Sequence, residues 1–190
     1  MTEGLFTPPY VAGTFNYLPN LTPSEVERFH AMGVPLNALI GPPPLKAGYV
    51  VFGQDGFEFE HHSPLGTEGT RAFLFLVTDP WGTALDIVAW CSKTGQLTTW
   101  LGRAWALGED TIYQSRFSDH GALPVWRDPL RYLQANREGI VIVRPHAAAL
   151  YLEDAGPPLA EDARHGLELE ELLTRRCPRI LVRAPQEVAA

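Results

Sequence analysis

The fold of this chain is decided by residues 73–90, FLFLVTDPWGTALDIVAW. Two apolar runs flank the segment 79–82, in which Asp, Pro and Gly occupy the first, second and fourth positions of a type I turn. Pairing Thr78 with Thr83 makes the two runs an antiparallel hairpin. Both faces of this hairpin are apolar, which is typical of a central strand pair covered on both sides.

The predicted register sorts the hairpin side chains onto two faces. One face carries Leu74, Leu76, Leu85, Ile87 and Ala89, and the other carries Phe73, Phe75, Val77, Val88 and Trp90. Asp86 is the exception, because a buried carboxylate must be paired, hydrogen-bonded or protonated. Arg103 and Arg71 are its candidate partners. An internal ion pair or a sheet end that reaches water is preferred over a catalytic acid.

Neighbouring segments extend the hairpin into a larger sheet. Residues 49–52 and 57–62 flank Asp55-Gly56, a strong hairpin signal that pairs Phe52 with Phe59. After the central pair, a turn at 92–95 leads into a further strand at 96–101. The sequence therefore predicts an antiparallel meander of about five strands.

Capping signals place the helices around this meander. Thr22-Pro23-Ser24-Glu25 is a capping box, and Asp128-Pro129 is a second helix start. Helices are predicted over residues 23–32, 129–138, 146–152 and 159–175. Apolar runs at 140–143 and 179–182, separated by a helix, predict a short C-terminal β-α-β extension. We expect residues 1–20 to form an irregular arm on the domain.

The fold class is therefore α+β, in a single domain over residues 1–190: a central meander, flanking helices and the C-terminal extension. With 15 Lys and Arg against 22 Asp and Glu, the net charge is −7, so we expect no tight nucleic-acid binding. The longest apolar stretch, 72–77, is too short for a bilayer, and residues 1–5 carry no signal-peptide pattern. We expect a soluble, cytoplasmic protein without membrane contact.

The sequence contains few residue patterns typical of metal or cofactor sites. The two cysteines, Cys91 and Cys177, form no CxxC pair, so we expect no structural zinc, no cofactor and two reduced thiols. Glu58, Glu60 and His62 alternate on one strand face, where they could hold a divalent metal or act as acid–base groups. A half-exposed acidic strand is the preferred interpretation, since no second ligand cluster is present.

The strongest binding signal lies between residues 81 and 126, which contain all five tryptophans. Trp90 and Trp100 are assigned to the core of the meander. Arginine and tryptophan together can anchor a partner protein or bind phosphate. The candidate ligand- or partner-binding residues are Arg103, Trp105, Arg116, Trp126 and Arg127. The leading hypothesis is a non-enzymatic binding or accessory module that engages a protein partner or a small anionic ligand.

The alternative is a small enzyme, hydrolytic or nucleic-acid-processing. It would use Asp86, His120 or the face formed by Glu58, Glu60 and His62. The sequence contains no GxGxxG opening a helix, no GxxxxGK[ST], no HExxH and no GxSxG. These absences close off the enzyme classes that depend on those motifs.

One resemblance involves a series of short segments in order along the chain: residues 86–90, 100–102, 123–130, 139–143 and 160–163. The chain resembles hypothetical proteins of proteobacterial genomes and their integrated mobile elements, of the prophage type. The resemblance spans roughly residues 84–182. That group has no established activity, so the resemblance implies no catalytic residue and points only to partners in phage- or plasmid-type machinery.

Overall fold

A computed structural model describes residues 8–60, 69–112, 121–152 and 155–174. The helices in these ranges are α1 (Pro8–Tyr17), α2 (Pro23–Ala31), α3 (Leu36–Ile40), α4 (Pro129–Gln134), α5 (Pro145–Leu152) and α6 (Ala163–Leu173). The strands are β1 (Lys46–Phe52), β2 (Phe57–Phe59), β3 (Thr70–Thr78), β4 (Ala84–Trp90), β5 (Leu97–Thr99), β6 (Ala106–Leu107), β7 (Leu123–Trp126), β8 (Ile140–Ile142) and β9 (Pro158–Leu159).

The first sheet contains the predicted five antiparallel strands, but β1 rather than β2 pairs with β3, so the strands do not follow chain order as in a meander. Its order is β2-β1-β3-β4-β5, and every pairing is antiparallel. The predicted α+β class is confirmed.

The register of the central hairpin differs from the predicted one by two residues. Phe73 pairs with Trp90 and Leu76 with Ile87, with an irregularity between Val77 and Thr78. The turn at 79–82 forms as predicted, and the N–H of Asp79 donates to the carbonyl of Thr83 at 2.9 Å. Side chains alternate along a strand with period two, so the shift leaves the two predicted faces unchanged.

The β1–β2 hairpin also shifts by two residues. Phe52 pairs with Phe57 rather than with Phe59. The N–H of Gly53 donates to the carbonyl of Gly56 at 2.8 Å, so the two loop residues are Gln54 and Asp55. Placing Asp55-Gly56 at the centre of the turn was therefore wrong, although the face assignments are again preserved.

Gly56 is required by a close approach between strands rather than by a left-handed backbone. A Cβ built on Gly56 would lie 2.9 Å from the carbonyl oxygen of Thr99 in β5. We expect Gly56→Ala to lower the free energy of unfolding by roughly 1–3 kcal/mol, the usual cost of overpacking. Gly53→Ala is the matched control, because its Cβ would find its nearest neighbour at 3.4 Å. Urea denaturation compares the two, and equal midpoints would contradict the expectation.

The two faces of the first sheet pack in separate cores. On one face, Phe29 of α2 contacts Phe73 with ring centroids 4.7 Å apart, and α3 and α4 join the same cluster. On the other face, Val11 and Phe15 of α1 are fully buried against Ile87 and its neighbours. The central strands are therefore covered on both sides, as predicted.

Residues 8–17 correct one expectation, since they form helix α1 instead of an irregular arm. Val11 and Phe15 are four residues apart, a spacing that puts both side chains on one helical face. Pro8 and Pro9 stand in the first helical turn, where a missing N–H removes no helical hydrogen bond. The expectation that this segment packs on the domain is confirmed.

Helices α2 and α4 begin at the predicted residues, Pro23 and Pro129. The capping box at Thr22 and Glu25 forms, and α5 has the predicted extent. Helix α4 ends at Gln134 instead of Glu138, because Asn136 and Arg137 adopt positive φ angles. Helix α6 begins at Ala163, later than predicted.

A second, mixed sheet packs beside the first, with the order β6-β8-β7-β9. Strands β7 and β8 are parallel and joined through α4, so the β-α-β unit begins one strand earlier than predicted. The predicted strand at 179–182 lies outside the described residues. Helices α5 and α6 cover this sheet through a third cluster that contains Trp105 and Leu169. Within the described part of the chain, no helix has both the length and the apolar character to cross a membrane.

Candidate ligand-binding cleft

A cleft of about 690 Å³ lies between helix α1 and the β1–β2 side of the first sheet. Its volume is in the range of pockets that hold small organic ligands. Helix α1 contributes Tyr10, Thr14 and Tyr17, which are spaced four and three residues apart. This spacing puts the three side chains on one face of the helix. We call this space the aromatic cleft.

The sheet side of the aromatic cleft adds further rings. Tyr49 comes from β1, Phe59 from β2 and Trp100 from the chain after β5. The ring of Trp100 packs against Phe59 edge-on at 5.2 Å between centroids, and against Tyr10 at 5.7 Å. Gly48 also lines the cleft and carries no side chain to fill it.

The three tyrosine rings of the aromatic cleft are accessible to solvent. The exposed fraction is 45% for Tyr10, 50% for Tyr49 and 93% for Tyr17. Removing an aromatic ring from water lowers the free energy. Clusters of exposed rings therefore mark surfaces that bind a ligand or partner. The rim of the aromatic cleft therefore offers contact area that the fold itself leaves unburied.

Arg71, which also lines the aromatic cleft, is paired within the fold. It donates through Nε and Nη2 to the two carboxylate oxygens of Glu25, each at 3.0 Å. Its guanidinium carbon also lies 5.5 Å from the centre of the Tyr49 ring. Partial burial raises the pKa of Glu25, but hydrogen bonds from Arg71 and Thr22 outweigh it and bring the pKa below its ordinary value.

Two acidic residues line the aromatic cleft beside this neutral pair. Glu58 and Glu60 both line the cleft, on either side of Phe59. An oxygen of Glu60 accepts the N–H of Gly69 at 3.1 Å. Among the residues that the structure describes, the lining of the cleft therefore combines aromatic rings with more acidic than basic residues.

Trp105 and Trp126, two of the sequence-predicted binding residues, lie in different cores. Trp105 is only 3% exposed and stacks on Tyr151, with ring centroids 5.3 Å apart and planes 9° from parallel. Trp126 packs against the cluster of the first sheet, and its Nε1–H donates to the carbonyl of Glu138 at 2.6 Å. The structure does not bring these two tryptophans together on one surface.

The predicted arginines are also dispersed. Arg127 is exposed and forms ion pairs with Asp162 at 2.6 Å and Glu168 at 3.3 Å. Arg103 is exposed, and its backbone N–H donates to Asp86. Arg116 lies outside the described residues. A binding role for this Arg/Trp set stays a prediction.

Asp86 is satisfied by backbone groups rather than by an arginine side chain. Its Oδ1 accepts the N–H groups of Ile87 and Leu101, and its Oδ2 accepts those of Arg103 and Ala104, at 2.8–3.2 Å. The residue is fully buried. Four N–H donors on two oxygens give Asp86 a structural role, as preferred from the sequence, through a different set of partners.

The remaining sequence-predicted catalytic groups are divided by the structure. Glu58 and Glu60 lie in the aromatic cleft, whereas His62 and His120 lie outside the described residues. Over residues 8–60, 69–112, 121–152 and 155–174, no three His, Cys, Asp or Glu side chains converge as a metal site would require. The expectation that folding needs no metal stays a prediction. Cys91 is a buried free thiol, and Cys177 lies outside these ranges.

Sequence reasoning missed the tyrosines of the aromatic cleft. One signal was present, namely the high density of aromatic residues in the first 20 positions, including Tyr10 and Tyr17. Because that segment was interpreted as irregular, the helical spacing that puts the two rings on one face was not recognised. Tyr49 was missed because its place in the cleft depends on the position of β1 in the sheet, and the sequence around Tyr49 does not distinguish it from its neighbours.

Comparisons with known proteins identify no relative of this chain. No family model, no curated protein and no solved structure matches the chain. The chemistry of the aromatic cleft is therefore the basis on which a function is proposed.

Proposed function

We propose that this chain is a binding protein whose small organic ligand occupies the aromatic cleft between α1 and the β1–β2 side of the first sheet. The observation that carries the proposal is the set of exposed rings, Tyr10, Tyr17 and Tyr49, around a concave space of about 690 Å³. Concave sites lined by aromatic side chains with a few polar groups are where proteins bind small molecules.

The contacts of Asp86 argue against its use in the enzymatic alternative. Asp86, the buried carboxylate considered for catalysis, has both oxygens engaged by backbone N–H groups and does not line the cleft. A general acid or base needs an oxygen within reach of its substrate. Glu58 and Glu60 do line the cleft and could contact a ligand there, so an enzymatic alternative would have to use these two residues.

The test is a ligand-observed NMR screen of small aromatic and amine-bearing compounds, followed by affinity measurements on variants. We expect Tyr17→Ala to weaken the affinity of a bound compound roughly 2- to 10-fold, the contribution of one aromatic contact. Trp81→Ala is the matched control, because Trp81 is similarly exposed but lies in the β3–β4 turn, away from the cleft.

Two outcomes would contradict the proposal. In the first, no compound in the screen shows saturable binding at millimolar concentration. In the second, a bound compound loses no affinity in either Tyr17→Ala or Tyr10→Ala. Circular dichroism of each variant establishes whether the fold is retained, which is expected most clearly for Tyr17→Ala, because Tyr17 is 93% exposed and Tyr10 is 45% exposed.

A further inference from the structure

We infer that the ligand of the aromatic cleft is an organic cation that carries an ammonium group. This inference rests on the proposed function, since it names the chemistry of the molecule that would fill the same cleft. It comes from the charges and rings of the cleft taken together.

The charge of the aromatic cleft favours a cation. Arg71 is neutralised by the two-pronged contact with Glu25, so it offers little attraction to an anion. Glu58 and Glu60 then leave the cleft with an excess of negative charge. The net charge of −7 for the whole chain acts in the same direction, because it attracts cations and repels anions over long range.

The rings favour an organic cation over a metal ion. The negative face of an aromatic ring attracts ammonium and guanidinium groups, and clusters of such rings bind alkylated ammonium compounds. The Arg71 guanidinium already lies over the Tyr49 ring, 5.5 Å from its centre, so an ammonium group of the ligand would contact the other rings of the cleft. A hard metal ion would use oxygen ligands and gain nothing from Tyr10, Tyr17 and Trp100.

The experiment compares two probes of the same shape that differ in charge. Choline carries a trimethylammonium group, and 3,3-dimethyl-1-butanol replaces its nitrogen by carbon. We expect choline to bind at least roughly tenfold more tightly than the neutral alcohol, because aromatic rings and acidic side chains attract its positive charge. Calorimetry or NMR titration measures both affinities. Raising the salt from about 50 mM to about 300 mM should weaken choline binding and leave the neutral probe unchanged.

Variants locate the effect in the aromatic cleft. The double substitution Glu58→Gln and Glu60→Gln should remove most of the preference for choline over the neutral probe, and the aromatic rings should supply the part that remains. Glu171→Gln is the control, since it makes the same kind of charge change at an exposed position on α6. It should leave both affinities unchanged.

The outcomes separate the inference from the proposed function. If the neutral probe binds as tightly as choline, the inference is overturned and the cleft remains a binding site. If the preference for choline is unchanged in the double variant, the charge of Glu58 and Glu60 is not its source, and the inference as argued from the cleft charge fails. If an anionic analogue such as 3,3-dimethylbutyrate binds best, the inference is likewise overturned. If neither probe nor tetramethylammonium saturates at millimolar concentration, the inference fails, and the compound screen decides the proposed function independently.

Discussion

Replacing Asp86 with alanine should lower the free energy of unfolding by about 4 kcal/mol, because several buried N–H donors would lose their acceptor at once. Oδ1 accepts from Ile87 and Leu101, and Oδ2 accepts from Arg103 and Ala104. Each buried donor left without a partner costs roughly 1–3 kcal/mol, and local rearrangement would recover part of the total. Urea denaturation measures the loss.

Asp79→Ala is the matched control for this experiment. One oxygen of Asp79 accepts the N–H groups of Trp81 and Thr83 in an exposed turn of the same hairpin. Water can replace an acceptor there, so the expected loss is about 1 kcal/mol or less. Equal losses for Asp79→Ala and Asp86→Ala would show that the burial of Asp86 adds nothing to the loss.

Asp86→Asn separates the acceptor role from side-chain size. Asparagine keeps one acceptor oxygen and turns an NH₂ group toward two N–H donors. We expect the asparagine variant to recover less than half of the stability that the alanine variant loses. An asparagine variant as stable as the parent protein would contradict the assignment of acceptors to both oxygens.

The position of Asp86 explains why its loss should affect more than one strand. It lies on β4 of the first sheet, and three of its donors belong to residues 101–104, the segment that leads from the first sheet to β6 of the second. The same carboxylate therefore holds a strand of one sheet to the entry of the other. A carboxylate whose two oxygens already accept backbone hydrogen bonds is poorly placed to exchange a proton with a substrate.

The faces of the strands could be predicted from sequence, but their registers could not. The alternation of apolar residues assigned Leu74 and Phe73 to opposite faces, and a two-residue shift cannot change that. The registers depended on local details: the bulge near Thr78 and the short loop at Gln54 and Asp55. Such details come from tertiary contacts, such as the approach of Gly56 to Thr99.

The partners of Asp86 and the aromatic cleft were beyond prediction for a related reason. The sequence identified Asp86 as a buried charge that needs partners, but backbone N–H groups carry no sequence signature. The cleft joins residues as distant as Tyr10 and Trp100, and only the packing of α1 on the sheet brings them together. The Arg/Trp set was the stronger candidate by sequence because its members are close along the chain, although Trp105 and Trp126 point into different cores.

Glu109 should make the stability of this protein fall as the pH rises. The residue is 8% exposed, and its Oε1 accepts the N–H groups of Trp105 and Ala106 at 2.6 and 3.2 Å. Burial raises its pKa from 4.5 to about 7; these hydrogen bonds oppose the rise, and the charge of Asp86 adds to it. The folded protein therefore holds a proton on Glu109 in a pH range where the unfolded chain has released it.

The sign of the effect follows from this difference in bound protons. Between about pH 4.5 and about pH 7 the folded state binds more protons than the unfolded state, so stability decreases as pH rises. Above about pH 7 the whole penalty of the buried charge is present. A shift of this size corresponds to about 3 kcal/mol, at about 1.4 kcal/mol for each pKa unit.

Glu109→Gln should remove this penalty, because an amide keeps the oxygen that accepts both N–H groups and never ionises. At about pH 8 the variant should be more stable than the parent protein by up to about 3 kcal/mol, and at about pH 4 the two should be nearly equal. Urea denaturation at both pH values gives the difference, so that other titrating groups cancel. Glu171→Gln, on the exposed face of α6, should change stability by less than about 0.5 kcal/mol at either pH. A gain for Glu109→Gln that is the same at both pH values would show that the buried charge is not its cause.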